Sequence, residues 1–228
     1  MDEFITSIAR LAPTGPVVIG GLAVMCRVGG EHRPTLDVDS AFDNDTDIPT
    51  TQLLIDQGIA VAGDAAQRIL VGAAVIDVID TFAIDAADLP DDPKGRLFVC
   101  AHRYAFEAAT PVTFAGDTQT ATVGVATVDA LIAMKAHALR YASPPRRMIK
   151  RSSDLYDLLL LALTTGTANV LENAPWDVRG QCRSALAADL EDIEAAAAVL
   201  RRSPVPAINT VDADILATVV ADLLERLS

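Results

Sequence analysis

The apolar positions along the chain follow two different periods, and the change between them divides the sequence. Up to about residue 127, short β-branched runs alternate with helical spacings and with breaks that contain glycine or proline. Beyond residue 127, apolar residues recur at helical spacing, interrupted at 143–145 and 203–206. The pattern predicts a mixed α/β domain over residues 1–127 and a helical domain over residues 128–228.

Individual elements follow from the same periods. The first domain is predicted to contain helices at Asp2–Leu11, Leu22–Val28 and Thr51–Ala60. Its predicted strands are Val17–Ile19, Thr35–Ala41, Arg68–Val71, Ala73–Asp80, Leu97–Ala101 and Thr120–Thr127. The second domain is predicted to contain helices at Val128–Tyr141, Ser153–Thr164, Trp176–Leu200 and Val211–Leu227.

Composition narrows the class of protein. Hydrophobic residues make up 51% of the 228 residues, but the apolar runs are far shorter than the roughly 20 residues that span a bilayer. The start of the chain lacks the basic and apolar segments of a signal peptide, and three dispersed cysteines do not form a disulfide framework. We therefore expect a cytoplasmic protein without a membrane segment. The net charge of −13 argues against a broad nucleic-acid-binding surface.

A glycine pair and an acidic strand carry the clearest chemical signal. Gly20 and Gly21 follow the predicted strand Val17–Ile19, where a backbone without Cβ lets a phosphate approach the N–H groups of a helix start. Asp37 and Asp39 lie two positions apart on a predicted strand, so both carboxylates project from one face. Two carboxylates held in this way can bind Mg²⁺ (or Mn²⁺) together with the phosphate oxygens of a substrate.

A third carboxylate is expected from a neighbouring strand. Asp77 lies within the β-branched run Ala74–Ile79, where an aspartate is costly to bury unless it meets a metal or another partner. Asp80 is the competing candidate, on the opposite face of the same strand. Metal ions held by such acids suit phosphoryl transfer, in which one metal activates the attacking oxygen and the other holds the triphosphate.

Positive charge is concentrated at the start of the helical domain. Six basic residues fall within 17 positions: Lys135, Arg140, Arg146, Arg147, Lys150 and Arg151. This local patch could contact phosphate or RNA on a protein that is acidic overall, or it could be a solvated loop. Similarly, the acids at 37 and 39 could be solvated residues at a strand end, and the glycine pair could be a turn without a ligand.

Taken in order, these motifs resemble the nucleotidyltransferases of the AbiEii / MenT toxin type. The resemblance rests on Gly-Gly-x-Ala at 20–23, Arg-x-Thr-x-Asp-x-Asp at 33–39 and the aspartate in a later apolar strand. It extends to a lysine-bearing helix at 133–140 and to Lys-x-x-x-Asp-x-x-Asp-Leu at 150–158, and covers roughly residues 17–160. Many members of this family have Gly-Ser where this chain has Gly20-Gly21.

The resemblance implies a fold and a set of roles. The fold is of the α/β (α+β) class, with a nucleotidyltransferase-like mixed sheet flanked by helices and followed by a helical C-terminal domain. Asp37 and Asp39 would bind metal, Lys135 would bind the nucleotide phosphates and Asp154 would complete the site. Alternatively, Asp154 could complement the dipole of a helix that starts near Ser153.

Further candidates for nucleotide contacts are Gly20, Gly21, Arg33 and Thr35. The implied reaction transfers a nucleoside monophosphate from a nucleoside triphosphate (NTP) to an acceptor, in some members the 3′ end of tRNA. The implied biological role is that of a toxin neutralised by a cognate antitoxin protein. Two alternatives stay open: a non-catalytic binding protein with this fold, which the missing serine favours, and a transferase that modifies a small molecule such as an antibiotic.

Overall fold

The centre of the N-terminal half is a seven-stranded mixed sheet. A computed structural model describes residues 2–29, 37–166 and 169–228. The strands are β1 (Val17–Ile19), β2 (Val38–Asp43), β3 (Val61–Ala62), β4 (Arg68–Val71), β5 (Ala74–Thr81), β6 (Thr110–Ala115) and β7 (Thr120–Val125). Their order in the sheet is β3-β4-β5-β2-β1-β7-β6. Strand β2 pairs in parallel with β5, as does β1 with β7, and the other neighbours are antiparallel.

Helices flank this sheet and make up the regular structure of the C-terminal half. They are α1 (Asp2–Leu11), α2 (Gly20–Val28), α3 (Thr50–Asp56), α4 (Pro93–Glu107), α5 (Val128–Tyr141), α6 (Pro144–Thr164), α7 (Val178–Asp189), α8 (Ile193–Arg201), α9 (Pro206–Asn209) and α10 (Ala213–Arg226). Two 3₁₀ turns lie at Ala12–Thr14 and Ala86–Asp88. The predicted fold class, a mixed sheet flanked by helices and followed by a helical part, is confirmed.

Helix α5 is the structural centre of the molecule. It packs against α2, α4, α6 and α7, and the run Ala130–Ala133 is buried. A helix that is covered on several sides needs apolar residues around most of its circumference, which explains its alanine- and leucine-rich sequence. One continuous apolar core extends from the sheet through α5 into the C-terminal helices, and the boundary predicted at residue 127 stays a prediction.

The prediction of a strand at Leu97–Ala101 is wrong, because this segment lies inside α4. Pro93 occupies the first turn, and the Asp92 carboxylate caps the helix by accepting a hydrogen bond from the backbone N–H of Gly95 at 2.7 Å. Leu97, Cys100 and Ala101 are buried at the i, i+3, i+4 spacing of one helix face. Over so few residues, this spacing resembles strand alternation.

Other elements differ from the prediction in their bounds. Strand β6 was not predicted; it contains Pro111, which an edge strand tolerates because one row of its N–H groups has no partner strand. Helix α6 starts earlier than predicted, since Pro144 sits at its N-terminus. The helix predicted at Trp176–Leu200 is split into α7 and α8, where the Asp192 side chain caps α8. Among the described residues, no helix is both long and apolar enough to cross a membrane.

Candidate functional site

A cavity of about 340 Å³ lies where the ends of β1 and β2 meet helices α4, α5 and α6. Its volume falls within the range of small-molecule binding sites. The predicted site residues that line it are Gly20, Gly21, Asp37, Asp39, Lys135, Arg146, Lys150 and Asp154. Residues that are far apart in the sequence therefore meet at one place in the fold.

The glycine turn makes room for one of the acids. The register of β1 and β2 places Ile19 opposite Asp39, so Asp39 lies beside the residue where β1 ends. Gly20 has a φ of +66°, and a Cβ at this position would lie 2.0 Å from Asp39 Oδ2. We expected the space beside the Gly20 backbone to admit a phosphate, but the carboxylate of Asp39 occupies it. Gly21 lines the cavity next to Gly20.

Asp37 and Asp39 bring two carboxylates to the cavity. Asp37 directly precedes β2 rather than lying within it, yet both residues are part of the lining. Burial raises the pKa of Asp39, the charge of Asp37 raises it further, and the charges of Lys135 and Lys150 oppose this increase. A carboxylate in such surroundings gains from a nearby cation.

The side chains at the cavity include two carboxylates that suit Mg²⁺, but they do not form a complete set of metal ligands. No group of three or more His, Cys, Asp or Glu side chains among the described residues is arranged to hold a metal ion. Mg²⁺ is commonly held by one or two carboxylates, with waters and substrate phosphates as its other ligands. Asp37 and Asp39 could therefore hold it when a phosphate-bearing substrate supplies the remaining oxygens.

Asp77, the expected third carboxylate, binds an arginine. Arg68 on β4 lies opposite Asp77 in the β4–β5 register, and its Nε and Nη2 donate to Asp77 Oδ1 and Oδ2 at 2.7 and 2.8 Å. The same Nη2 is 3.8 Å from Asp37 Oδ2. Asp77 is the neighbour of Asp39 in the sheet, but it is not part of the cavity lining, and metal binding by Asp77 stays a prediction.

Asp80, the competing candidate, lies on the other face of β5. Its Oδ2 accepts hydrogen bonds from the backbone N–H of Thr50 at 3.2 Å and from Asn44 Nδ2 at 3.3 Å. The carboxylate thus meets the N-terminus of α3, where a negative charge is favourable. This position explains why an aspartate occurs at a second place in an apolar strand.

Lys135 is a buried cation between two carboxylates. Its Nζ lies 2.7 Å from Asp154 Oδ1 and 2.7 Å from Asp157 Oδ2. Burial lowers the pKa of Lys135, but the two carboxylates outweigh this effect and raise it above its usual value, so the ammonium stays charged. Asp154 lies in the middle of α6, which begins at Pro144; the alternative that Asp154 complements a helix dipole is therefore wrong.

The predicted basic patch is divided by the fold. Arg146 and Lys150 lie one turn apart on α6 and line the cavity. Arg151 does not line the cavity. Its Nη2 lies 2.9 Å from Asp189 Oδ2 at the end of α7. The side chain of Arg147, and the whole of Arg33 and Thr35, lie outside the described residues.

Sequence reasoning missed an aromatic part of the lining, which we call the aromatic wall: Phe98, His102, His137 and Tyr141. Burial lowers the pKa of both histidines to about 4, so both rings are neutral at pH 7. His137, on the predicted helix Val128–Tyr141, lines the cavity. The i, i+4 spacing of each pair was the available signal, but the incorrect strand at Leu97–Ala101 hid it.

Comparisons with known proteins agree with the motifs. A family described as "Nucleotidyl transferase AbiEii toxin, Type IV TA system" matches residues 16–203. A solved structure of an antigenic nucleotidyltransferase-like protein from Paracoccidioides brasiliensis is similar, with a TM-score of 0.47 and 18% identity over 86% of this chain and 92% of that chain. No curated protein gives a significant match. Since the family match spans the sheet, the cavity and the helices around it, the chain belongs to the AbiEii nucleotidyl transferase toxin family of type IV toxin–antitoxin systems.

Proposed function

We propose that this protein is a magnesium-dependent nucleotidyltransferase that transfers a nucleoside monophosphate from an NTP to an acceptor hydroxyl. One observation carries the proposal: Asp37 and Asp39 line the same cavity as Arg146 and Lys150. A bound triphosphate needs both kinds of group, because carboxylates hold the metal ion and basic side chains neutralise the remaining phosphate charge.

In the proposed reaction, the acceptor oxygen attacks the α-phosphorus of the NTP. A new P–O bond forms, the bond from the α-phosphorus to the bridging oxygen of the β-phosphate breaks, and pyrophosphate leaves with that electron pair. The acceptor hydroxyl loses its proton to a base or to solvent. When bound, Mg²⁺ neutralises the negative charge that develops on the phosphate oxygens.

The chain contributes position and charge. Asp37 and Asp39 would hold the metal, and Arg146 and Lys150 would neutralise the charge of the triphosphate. The free N–H groups at the start of α2, beside Gly21, add donors for phosphate oxygens. Arg68, which binds Asp77 and lies near Asp37, positions the acidic side of the site.

Lys135 acts in this site from inside the protein. Its ammonium lies at the cavity wall but is held by Asp154 and Asp157. It therefore fixes α5 against α6 beside the site.

The acceptor that we propose is the 3′ end of tRNA, with a cognate antitoxin as the partner and the cytoplasm as the location. Membership of a toxin–antitoxin family supports the partner. A small-molecule acceptor is the second candidate. It is favoured by the Arg151–Asp189 ion pair, which removes one cation from the predicted RNA-contact patch of a protein with a net charge of −13.

The test is incubation of the purified protein with each α-labelled NTP, Mg²⁺ and total cellular RNA. We expect label in a tRNA-sized species, dependent on Mg²⁺ and reduced at least about 100-fold by Asp39→Asn, since the metal contributes several kcal/mol to the transition state. Asp45→Asn, an exposed loop aspartate, is the matched control and should keep full activity.

Three results separate the alternatives. Pyrophosphate release with label in a small molecule instead of RNA supports the second candidate. Mg²⁺-dependent binding of NTP without release of pyrophosphate in the presence of any acceptor supports a non-catalytic binding protein. Undiminished labelling by Asp39→Asn would overturn the proposed site.

A further inference from the structure

The aromatic wall is the part of the cavity lining that the proposed reaction does not use. Its four rings form a connected series, with ring centroids 4.1 Å apart for Phe98 and His102, 5.3 Å for Phe98 and His137, and 5.5 Å for His137 and Tyr141. Two helices carry the series, since Phe98 and His102 belong to α4 and the other two rings to α5. A flat heterocyclic ligand could stack on such a surface, which is worth about 1–3 kcal/mol for a nucleobase on an aromatic side chain.

Arg146 connects the aromatic wall to the phosphate-binding side. It lines the cavity, and its charge lowers the pKa of both His102 and His137. Arg146 therefore shares the cavity with both rings, and Lys150 follows one turn later on the same helix. The wall and the proposed triphosphate site are close enough for one nucleotide to reach both.

Each of the two histidines has a ring nitrogen without a hydrogen-bond partner among the residues that the structure describes. His102 Nδ1 lies 2.7 Å from the carbonyl oxygen of Phe98, and a carbonyl only accepts, so Nδ1 carries the proton. In the neutral ring, Nε2 is then a hydrogen-bond acceptor, and it has no hydrogen-bond partner among the described residues. His137 Nε2 is also buried without a partner in the described part of the chain. Leaving the buried His137 Nε2 unsatisfied is costly.

On the basis of the proposed function, we propose that the aromatic wall binds the nucleobase of the NTP, and that His102 Nε2 selects cytosine or adenine, whose exocyclic amino group takes the place of the carbonyl oxygen of uracil or hypoxanthine. An acceptor nitrogen bonds to the N4 amino group of cytosine or the N6 amino group of adenine. It is repelled by the carbonyl oxygen that replaces the amino group in uracil or hypoxanthine. Sites that hydrogen-bond a substrate group discriminate strongly against analogues that lack it.

The test compares matched nucleotides by isothermal titration calorimetry with Mg²⁺. CTP is paired with UTP, and ATP with inosine triphosphate, because each pair differs in the amino group. Tripolyphosphate serves as a probe without a base. We expect the amino-bearing member of at least one pair to bind about 10-fold or more tightly than its partner. His102→Phe, which keeps the ring but not the acceptor, should bring that ratio near one and leave tripolyphosphate binding unchanged.

A second variant tests the wall without a buried substitution. Phe98 is 39% exposed, so Phe98→Ala should fold, and it should weaken binding of all four NTPs about 10-fold while tripolyphosphate binds as before. Phe82→Ala, at a residue that is 46% exposed outside the cavity, is the control and should bind like the wild type.

The outcomes distinguish this inference from the proposed function. Equal binding within both pairs by the wild type would overturn selection by His102. Binding of NTPs no tighter than tripolyphosphate, or unaffected by Phe98→Ala, would overturn the base site while the triphosphate site stands. If neither NTPs nor tripolyphosphate bind with Mg²⁺, the proposed function itself fails, and the inference fails with it.

Discussion

Two pairs of aspartates, of which Asp37, Asp39 and Asp154 line the same cavity and Asp157 lies behind it, differ in the cation that each pair meets. On the α6 side, Asp154 and Asp157 hold the ammonium of Lys135 at 2.7 Å each. On the strand side, Arg68 lies 3.8 Å from Asp37, and no basic nitrogen among the described residues lies within 4 Å of the Asp39 carboxylate.

The contrast shows how the same chemical group can serve stability in one place and binding in another. A buried charge is costly unless it is paired. The pair on α6 contains its own cation and joins α5 to α6. Asp39 keeps a cost of burial that an external cation would relieve, which supports the proposal that a metal ion binds there.

The largest expected effect comes from removing the internal cation. Lys135→Met should lower the free energy of unfolding by about 3–5 kcal/mol, because it leaves two buried carboxylates without their partner. Urea denaturation at pH 7 measures this. Lys94→Met, at an exposed lysine, should change stability by less than about 0.5 kcal/mol. Equal stability of the two variants would contradict a structural role for Lys135.

Exchanging one acid of each pair for its amide separates the two roles. Asp39→Asn should reduce nucleotidyl transfer at least about 100-fold without loss of stability at pH 7. Asp154→Asn should lower the free energy of unfolding by about 1–3 kcal/mol, since Lys135 then loses a charged hydrogen-bond partner. Urea denaturation and the labelling assay measure both variants. If the two variants gave the same profile, the distinction between the pairs would be wrong.

Substitution of Gly20 tests the close approach of Asp39. Gly20→Ala places a Cβ 2.0 Å from Asp39 Oδ2 at a φ of +66°, so it should cost about 1–3 kcal/mol and also reduce activity by displacing the carboxylate. Gly15→Ala is the control for strain alone, since Gly15 has a φ of +73° and no atom within 4 Å of its built Cβ. Activity retained in Gly20→Ala but lost in Gly15→Ala would contradict this account.

The smallest expected effect is the pH dependence of the stability difference between wild type and Asp39→Asn. Burial raises the pKa of Asp39 above its ordinary value of 3.8, so the folded state takes up this proton at a higher pH than the unfolded state. The wild type therefore pays the free-energy cost of burying the charged Asp39 carboxylate at pH 7. This cost disappears as the pH falls through the pKa of Asp39 in the folded state. Urea denaturation at several pH values should show Asp39→Asn as the more stable protein at pH 7, with a gap that closes toward pH 4.

The sequence predicted most of the strand side of the site. Gly20-Gly21, Asp37 and Asp39 lie within about 20 residues, so their local pattern is sufficient to suggest that they meet. The ion pair of Arg68 and Asp77 was not predicted, although both strands of the hairpin were. It depends on the cross-strand register, which a one-residue shift would change.

The aromatic wall was missed for a different reason. The prediction placed Phe98 in a strand at Leu97–Ala101, whereas Phe98 and His102 both lie on α4. Pro93 and the capping Asp92 were the local signals for a helix. The burial that keeps both imidazoles neutral comes from packing between α4 and α5, which a single sequence does not reveal.

Helix α5 sets a fixed spacing in the cavity. Lys135 and Tyr141 both belong to it, and six residues of α-helix advance about 9 Å along the axis. Because α5 is enclosed by four other helices, this length cannot adjust by loop movement. Accommodating a longer or shorter ligand would require shifting α6 or the sheet edge. The rigid length of α5 therefore limits the size of the molecules that fit the cavity.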